Sequence, residues 1–381
     1  MTGVFVDPLY GKFSLPGFIE DVLQVPEIQR LREIRLLNIN PFNIAALGEV
    51  TRFSHTLGVL HLVEVFLDEH KGILTDKEAT SLRLAAALHD IGTPPFGHSV
   101  EALLRSSGWQ HEAVVKDIIL GHASKQNKYF QIYWGCELGA YRLLQRLSES
   151  LGTIDIPTIF LTIRGGGPVG PLLSGYVDMD NIDNVFRMYS YVGLGYSVGM
   201  AEEVVRSIRF SDGQVLFSPH ASQLLEHWIC ARRQSYETLL FNYFNFAAKA
   251  LLNRALEIAF AEGLIGQEDW FLTDTLLLQR LYKFKRTRRL VQNLVTARLP
   301  AKVDFYWLEH TESLERKLTH PVFIRALESK LATLLEAPCI VYVISEKGAF
   351  SKEVLVTEET PGGRNCFVLS KASRSIFAAL R

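Results

Sequence analysis

Two histidines and two aspartates, His55, His89, Asp90 and Asp180, are the residues of this 381-residue chain whose types could together hold one divalent cation. His89 and Asp90 stand side by side in LRLAAALHDIGTPPFGH, with His55 well upstream and Asp180 well downstream. Two imidazole nitrogens and two carboxylates make a borderline-hard donor set that suits Mn, Fe, Zn or Mg and leaves positions for water and substrate. A cation held this way acidifies water and offsets charge on a phosphoryl oxygen, so the chemistry it suits is hydrolysis. A second pair, His98 and Glu101, lies three residues apart just after Pro94-Pro95-Phe96. On one helical face the carboxylate can hold the imidazole in a single tautomer and raise its basicity.

The elements that must position these groups read as helices. Residues 16–38 carry Ile19, Val22 and Leu23, then Ile28, Leu31 and Ile34 at helical intervals, and Pro26 divides them into two helices. Arg52 to His70 repeats Phe53, Leu57, Leu60, Val63 and Leu67, which places His55 near the start of an amphipathic helix. Asp76 to Leu88 is the next helix, opened by a Thr75/Glu78 capping box and stopped by Gly92 and Pro94-Pro95, so His89 and Asp90 fall at its C-terminal end. The pattern stays helical to about Leu151, with a turn at Gly108-Trp109. Residues 164–168 read as a flexible Gly/Pro loop, and Asp178 to Met188 as a helix bearing Asp180 and Asp183 on neighbouring turns. Ser222 to Ile265 is helical and aromatic-rich. Beyond Pro338, CIVYVI, KEVLVTEE and NCFVLS are short β-type runs separated by Gly348 and by Pro361-Gly362-Gly363. The expected organisation is a helical body over 1–335, with its core motifs in 50–190, and a small mixed α/β subdomain over 336–381.

At 48% hydrophobic and 21% charged, the composition is that of a globular chain able to bury a large core. A net charge of −1 argues against whole-surface attraction to nucleic acid or anionic membrane, though not against a local basic pocket. Cys136, Cys230, Cys339 and Cys366 form no CxxC pair, which fits a reducing compartment. The N-terminus lacks a signal-peptide pattern, and no run of about 18 apolar residues is present to span a bilayer. A cytoplasmic protein without a membrane partner is expected.

Five segments in order carry a resemblance. DPLYGKFSLP, VPEIQRLREIRLL, RFSHTLGV, ALHDIGTPPFGHSVE and SGYVDMDNIDNVFR are similar to the DPxHG, TPxFQRLRxIxQL, RFxHSLGV, HDIGxPPFGHxxE and DxDxxDYxxRD motifs of the HD-domain phosphohydrolases. They most resemble the deoxynucleoside triphosphate triphosphohydrolase branch and span roughly residues 7 to 190. The resemblance implies a mainly α fold, an HD-domain helical bundle with a small C-terminal α+β subdomain. It implies His55, His89, Asp90 and Asp180 as ligands of a divalent metal, with Asp183 facing the same metal or serving beside it. His98 and Glu101 would form the catalytic pair, with His98 as general acid for the leaving oxygen, and His111 matches a further active-site histidine. Arg52 would hold substrate phosphates through its planar fork, whereas a structural salt bridge suits Arg187 better. His61, His70, His122, His220, His227, His310 and His320 match nothing in the motifs.

The departures concern the substrate pocket. Asn181, Asn184 and Met188 stand where the branch has a basic residue, a tyrosine against the sugar and an aspartate reading the 3′-hydroxyl. Leu36 replaces the glutamine that meets the same hydroxyl, Thr93 follows HDIG in place of His or Asn, and Gln24 replaces an aspartate associated with activating guanine. A buried unpaired hydroxyl costs roughly 1–3 kcal/mol, so the pocket is not expected to take an ordinary dNTP in the usual way. The expected activity is hydrolysis of a nucleotide or nucleotide-like phosphate ester by a homo-oligomer. The alternatives are a non-catalytic nucleotide sensor and a monophosphate phosphatase or nuclease. The lack of a Lys/Arg-rich aromatic stripe disfavours nucleic acid as a partner.

Overall fold

The helix that carries His55 runs from Arg52 to Glu69, and Thr51 caps it by accepting from the Ser54 amide. The computed structural model describes residues 3–39, 43–105, 108–123, 139–152, 154–195, 199–240, 242–299, 303–308, 316–318, 320–345, 355–360, 363–368 and 375–380. The fold is mainly α, with small antiparallel sheets. In place of the one-sided apolar stripe expected from sequence, the His55 helix is buried around most of its circumference. Phe53, Leu57, Val59, Leu60, Val63 and Phe66 all lie in the core. Helices Asp76–Leu88 and Met179–Val192 pack against it. The Thr75/Glu78 capping box is formed, with each residue's side chain accepting from the other's backbone amide.

A hairpin of β1 (Val4–Asp7) and β2 (Gly11–Ser14) precedes these helices. Asp7 closes its turn by accepting from the Leu9 and Tyr10 amides. Residues 16–38 form a helix over Gly17–Leu23 as expected, but the second expected helix is only Pro26–Gln29, followed by a 3-10 turn over Arg30–Glu33. The cause is local pairing that outcompetes helix continuation. Arg35 bridges Thr51, and the Leu36 amide donates to the Val50 carbonyl, so the chain is drawn out into an extended segment. Arg30, fully buried, donates to the carbonyls of Ile91, Thr93, Trp270 and Leu272, which clamps the loop after His89 to the chain at 270–272.

Between His89 and the helix His98–Leu104, Phe96 adopts φ 56°, a left-handed conformation that side chains other than glycine rarely take. Buried Asp274 accepts from the Phe96 and Arg35 amides and so holds both strained and extended backbone in place. Residues 164–168 are a tight turn; a Cβ on Gly165, at φ 75°, would lie 2.3 Å from the Ser174 carbonyl oxygen. The expected helix over 222–265 is two helices, Ser222–Leu240 and Tyr243–Ala261, the second capped by Asn242.

Two further hairpins and a sheet complete the fold. Strands β3 (Ile208–Ser211) and β4 (Gln214–Phe217) pair antiparallel. The C-terminal sheet has the order β5 (Val303–Leu308), β9 (Ser375–Leu380), β6 (Ile340–Ser345), and β7 (Leu355–Thr360) pairs with β8 (Gly363–Val368). Its first strand thus lies upstream of the change in sequence texture near Pro338. Cys136, Gly348 and Pro361-Gly362 lie outside the described residues. Among the described residues no helix is long and apolar enough to cross a membrane.

Candidate metal centre and its cavity

His55 comes from the first turn of its helix, His89 from the end of Asp76–Leu88, and Asp180 from the first turn of Met179–Val192. Donor atoms of these three residues all lie within 4.8 Å of one another. His55 Nε2 is 2.8 Å from Asp180 Oδ1, while its Nδ1 is 2.6 Å from Asp183 Oδ2. His89 Nδ1 sits 2.8 Å from the Ala86 carbonyl, which can only accept, so in the neutral ring this nitrogen carries the proton and Nε2 is the one with the lone pair. That Nε2 is buried and has no hydrogen-bond partner.

The fourth expected ligand is placed differently. Asp90 is 3.6 Å from His89 Nε2, but its carboxylate is engaged by Arg52, whose Nη1 lies 2.7 and 2.9 Å from the two oxygens, and by the Thr93 hydroxyl. Burial alone would raise the Asp90 pKa; Arg52, then His89 and His55, outweigh it and hold the carboxyl well below the usual range. Burial works against charge on His55, yet the bonds from Asp180 and Asp183 lift its pKa to about 10. Two carboxylates on one imidazole make a point that favours positive charge. Burial also opposes ionised Asp183, but Arg187 and His55 bring it down to about 2.

Asp183 is the hub behind His55. It accepts from Arg187 through both oxygens and from the Tyr10 hydroxyl at 2.8 Å, and Arg187 continues to Asp7 at 2.8 Å. The N-terminal hairpin is thereby tied to the ring that faces the metal site. Gly58 permits this contact: a Cβ there would lie 1.9 Å from Asp183 Oδ1 and 2.3 Å from Arg187 Nη2.

A second hub, Glu101, is almost fully buried. It sits 2.9 Å from His98 Nδ1 and 3.0 Å from both His111 Nδ1 and Arg105 Nη2. His111 therefore joins the pair that spacing alone suggested. Burial would raise the Glu101 pKa, but His111, His98 and Arg105 hold it well below the usual range. Burial lowers the His111 pKa while Glu101 more than compensates, so its proton is retained to higher pH than usual.

The candidate ligands and the Glu101-held imidazoles open onto a cavity of about 780 Å³. Arg52, His55, His89, Asp90, His98, Glu101, His111 and Asp180 line it, together with Leu36, Asn184 and Met188. Leu36, Val50, Met188 and Leu239 form a small apolar cluster of their own along its wall. Asn181 departs from expectation: its amide is turned onto both Asp178 oxygens at 2.8 Å, and it does not line the cavity. Sequence reasoning missed Arg30, Tyr10, Ser235 and Lys249. Arg30 and Tyr10 lie inside the quoted QRLR and DPLYG segments, whereas no signal marked Ser235 or Lys249.

Residues 52–137 match the HD domain family, and with this helical fold the chain resembles HD-domain phosphohydrolases. Among its relatives, the uncharacterized protein YwfO of Bacillus subtilis is 27% identical over 260 residues, 67% of this chain and 55% of that protein. The deoxynucleoside triphosphate triphosphohydrolase SAMHD1 of Gallus gallus is 27% identical over 177 residues, 44% of this chain and 26% of that one. The chain thus spans about half the length, or less, of these relatives. A phosphohydrolase from Bacteroides thetaiotaomicron shares the fold, with a TM-score of 0.72 over the full length of both chains at 17% identity.

Proposed function

We propose that this protein is a metal-dependent phosphohydrolase acting on a nucleotide or nucleotide-like phosphate ester. The observation that carries the reading is the buried, unpartnered Nε2 of His89 beside His55 and Asp180, in the same cavity as the Glu101-held imidazoles. A buried imidazole nitrogen with no partner is costly unless something fills its lone pair. The donor set fits a divalent cation held by His55, His89 and Asp180, with Asp90 as the further candidate. Such a cation, when bound, would supply Lewis acidity beside the phosphoryl group.

The chain's own residues do the rest. Asp183 and the Ala86 carbonyl fix the two imidazoles with Nε2 as the ligating atom. Glu101 fixes His98 through Nδ1, so that in the protonated ring Nε2–H is left to deliver a proton to the leaving oxygen. Arg52 anchors Asp90 with one nitrogen and offers its remaining N–H groups to phosphate oxygens. Leu36 and Met188 present no polar partner to a sugar hydroxyl, which supports a substrate other than an ordinary dNTP.

Loading the protein with Mn, Fe, Zn or Mg and assaying a panel of nucleoside mono-, di- and triphosphates for release of nucleoside with phosphate or inorganic polyphosphate tests this. Turnover is expected only with metal, and His98→Ala should reduce it by about 10²- to 10⁴-fold. Absence of turnover on every ester, with metal shown to be bound, rejects the enzyme.

A further inference from the structure

Two polar side chains outside the metal centre open onto the same cavity with no partner among the described residues. Lys249, on the helix Tyr243–Ala261, is partly buried and lines the cavity, and it makes no hydrogen bond or ion pair. Ser235, on Ser222–Leu240, is 2% exposed and also lines the cavity, and its hydroxyl is buried and unpaired. Neither helix bears a candidate metal ligand. Helix residues around Lys249 are apolar and buried, among them Phe246, Ala248, Ala250 and Leu252.

An ammonium and a hydroxyl left without partners beside an apolar wall are costly as purely structural features. They are what an anionic oxygen group needs: one compact positive charge and one O–H donor. We propose that Lys249 and Ser235 form an anion subsite, which takes a phosphate group of the substrate other than the one being cleaved. Burial alone draws the Lys249 pKa down to about 8, with no carboxylate acting to restore it, so the amine is still mostly cationic at neutral pH and is available to a ligand's charge. Arg52, by contrast, already neutralises Asp90. The subsite deepens the phosphohydrolase reading and rests on it for the identity of the ligand, since the same chemistry fits a distal phosphate of a polyphosphate chain and a phosphate on the sugar.

The test is calorimetric binding of adenosine 5′-monophosphate, 5′-triphosphate and 3′,5′-bisphosphate to metal-loaded His98→Ala protein, compared with the same protein also carrying Lys249→Gln or Ser235→Ala. The His98→Ala background suppresses turnover, so binding is measured whether or not the wild-type chain is a hydrolase. Before the second substitution, at least one doubly or multiply phosphorylated ligand should bind about tenfold or more tightly than the monophosphate, as a charge-assisted contact implies. Lys249→Gln should erase that advantage, Ser235→Ala should reduce it, and monophosphate affinity should stay within about twofold in both. Loss of the triphosphate advantage identifies the distal chain as the source; loss of the bisphosphate advantage identifies the sugar phosphate. An equal loss for all three ligands, no change for any, or no binding by any before the second substitution overturns the subsite.

Discussion

Arg187→Met removes the only cation in a fully buried trio and isolates what it holds together. Arg187 and Asp183 have no exposed side-chain surface and Asp7 has 3%, with ion-pair distances of 2.9 Å to Asp183 and 2.8 Å to Asp7. Methionine fills much of the same volume, so the dominant effect is two buried carboxylates that lose the guanidinium they share, Asp183 keeping His55 and Tyr10 and Asp7 keeping the Leu9 and Tyr10 amides. Removing one partner of a buried pair costs about 3–5 kcal/mol. With an unfolding entropy near 2.1 cal/mol/K per residue, a chain of 381 residues should lose about 4–6 °C in Tm. Scanning calorimetry reads this directly on the metal-free protein. Because Asp183 sets the orientation of His55 Nδ1, divalent-ion affinity should also fall by about 10- to 100-fold, the range typical for groups that orient a metal-binding imidazole. A Tm within 2 °C of wild type, or unchanged metal affinity, would refute the claim that this buried network positions the site.

Gly58→Ala should act on the same network by sterics, since its methyl would overlap Asp183 and Arg187; a loss of about 1–3 kcal/mol, read as a lower Tm with weaker metal binding, is expected, and an unperturbed variant would show that the close approach is dispensable. Stripping metal with a chelator and restoring it at about 100-fold over its Kd should raise stability by about 2.7 kcal/mol, and His89→Ala should abolish that response; an equal response in the variant would remove His89 from the ligand set. The bond from Glu101 keeps His111 protonated to higher pH than usual, so it contributes fully below the ordinary histidine range and fades as pH rises through the raised value. In Glu101→Gln the main group opposing burial is lost, though Glu112 and Asp90 remain, and the His111 imidazole followed by NMR should titrate at lower pH than in wild type; an unchanged midpoint counts against the hub.

What could be read in the sequence was what local chemistry decides. The Thr75/Glu78 box and the stop at Gly92 and Pro94 act within a few residues, and they put His89 and Asp90 at a helix end before any tertiary contact is considered. The same logic failed where distant partners override local preference. The segment after Pro26 has helical periodicity to Ile34, yet the Arg35 to Thr51 bridge and the Asp274 bond to the Arg35 amide extend it, and neither partner is visible within the segment. His111 showed no link to Glu101 because their contact joins two helices across a turn. Strand β5 had no visible role because its partner, β9, lies at the far end of the chain. Asn181 misled for the opposite reason: a local bond to the N-cap Asp178 captured a side chain expected to face substrate.

The candidate metal centre and the apolar part of the cavity differ in how tightly their side chains are held. His55 and His89 have their Nδ1 atoms committed to Asp183 and to the Ala86 carbonyl, and His98 and His111 have theirs committed to Glu101, so each ring's freedom is spent before a ligand arrives. Such preorganisation is costly to alter, because a change at one ring propagates to Arg187, Asp7 and Tyr10 or to Arg105. The apolar part of the cavity lining has no such constraint. Leu36, Met188 and Leu239 pack into an apolar cluster, and the Lys249 and Ser235 side chains bond to nothing among the described residues, so replacing them disturbs no hydrogen-bond network described there. Two of the residues that depart from the family pattern, Leu36 and Met188, sit together in that apolar cluster, whereas a third, Thr93, donates to Asp90 and is tied into the candidate metal centre.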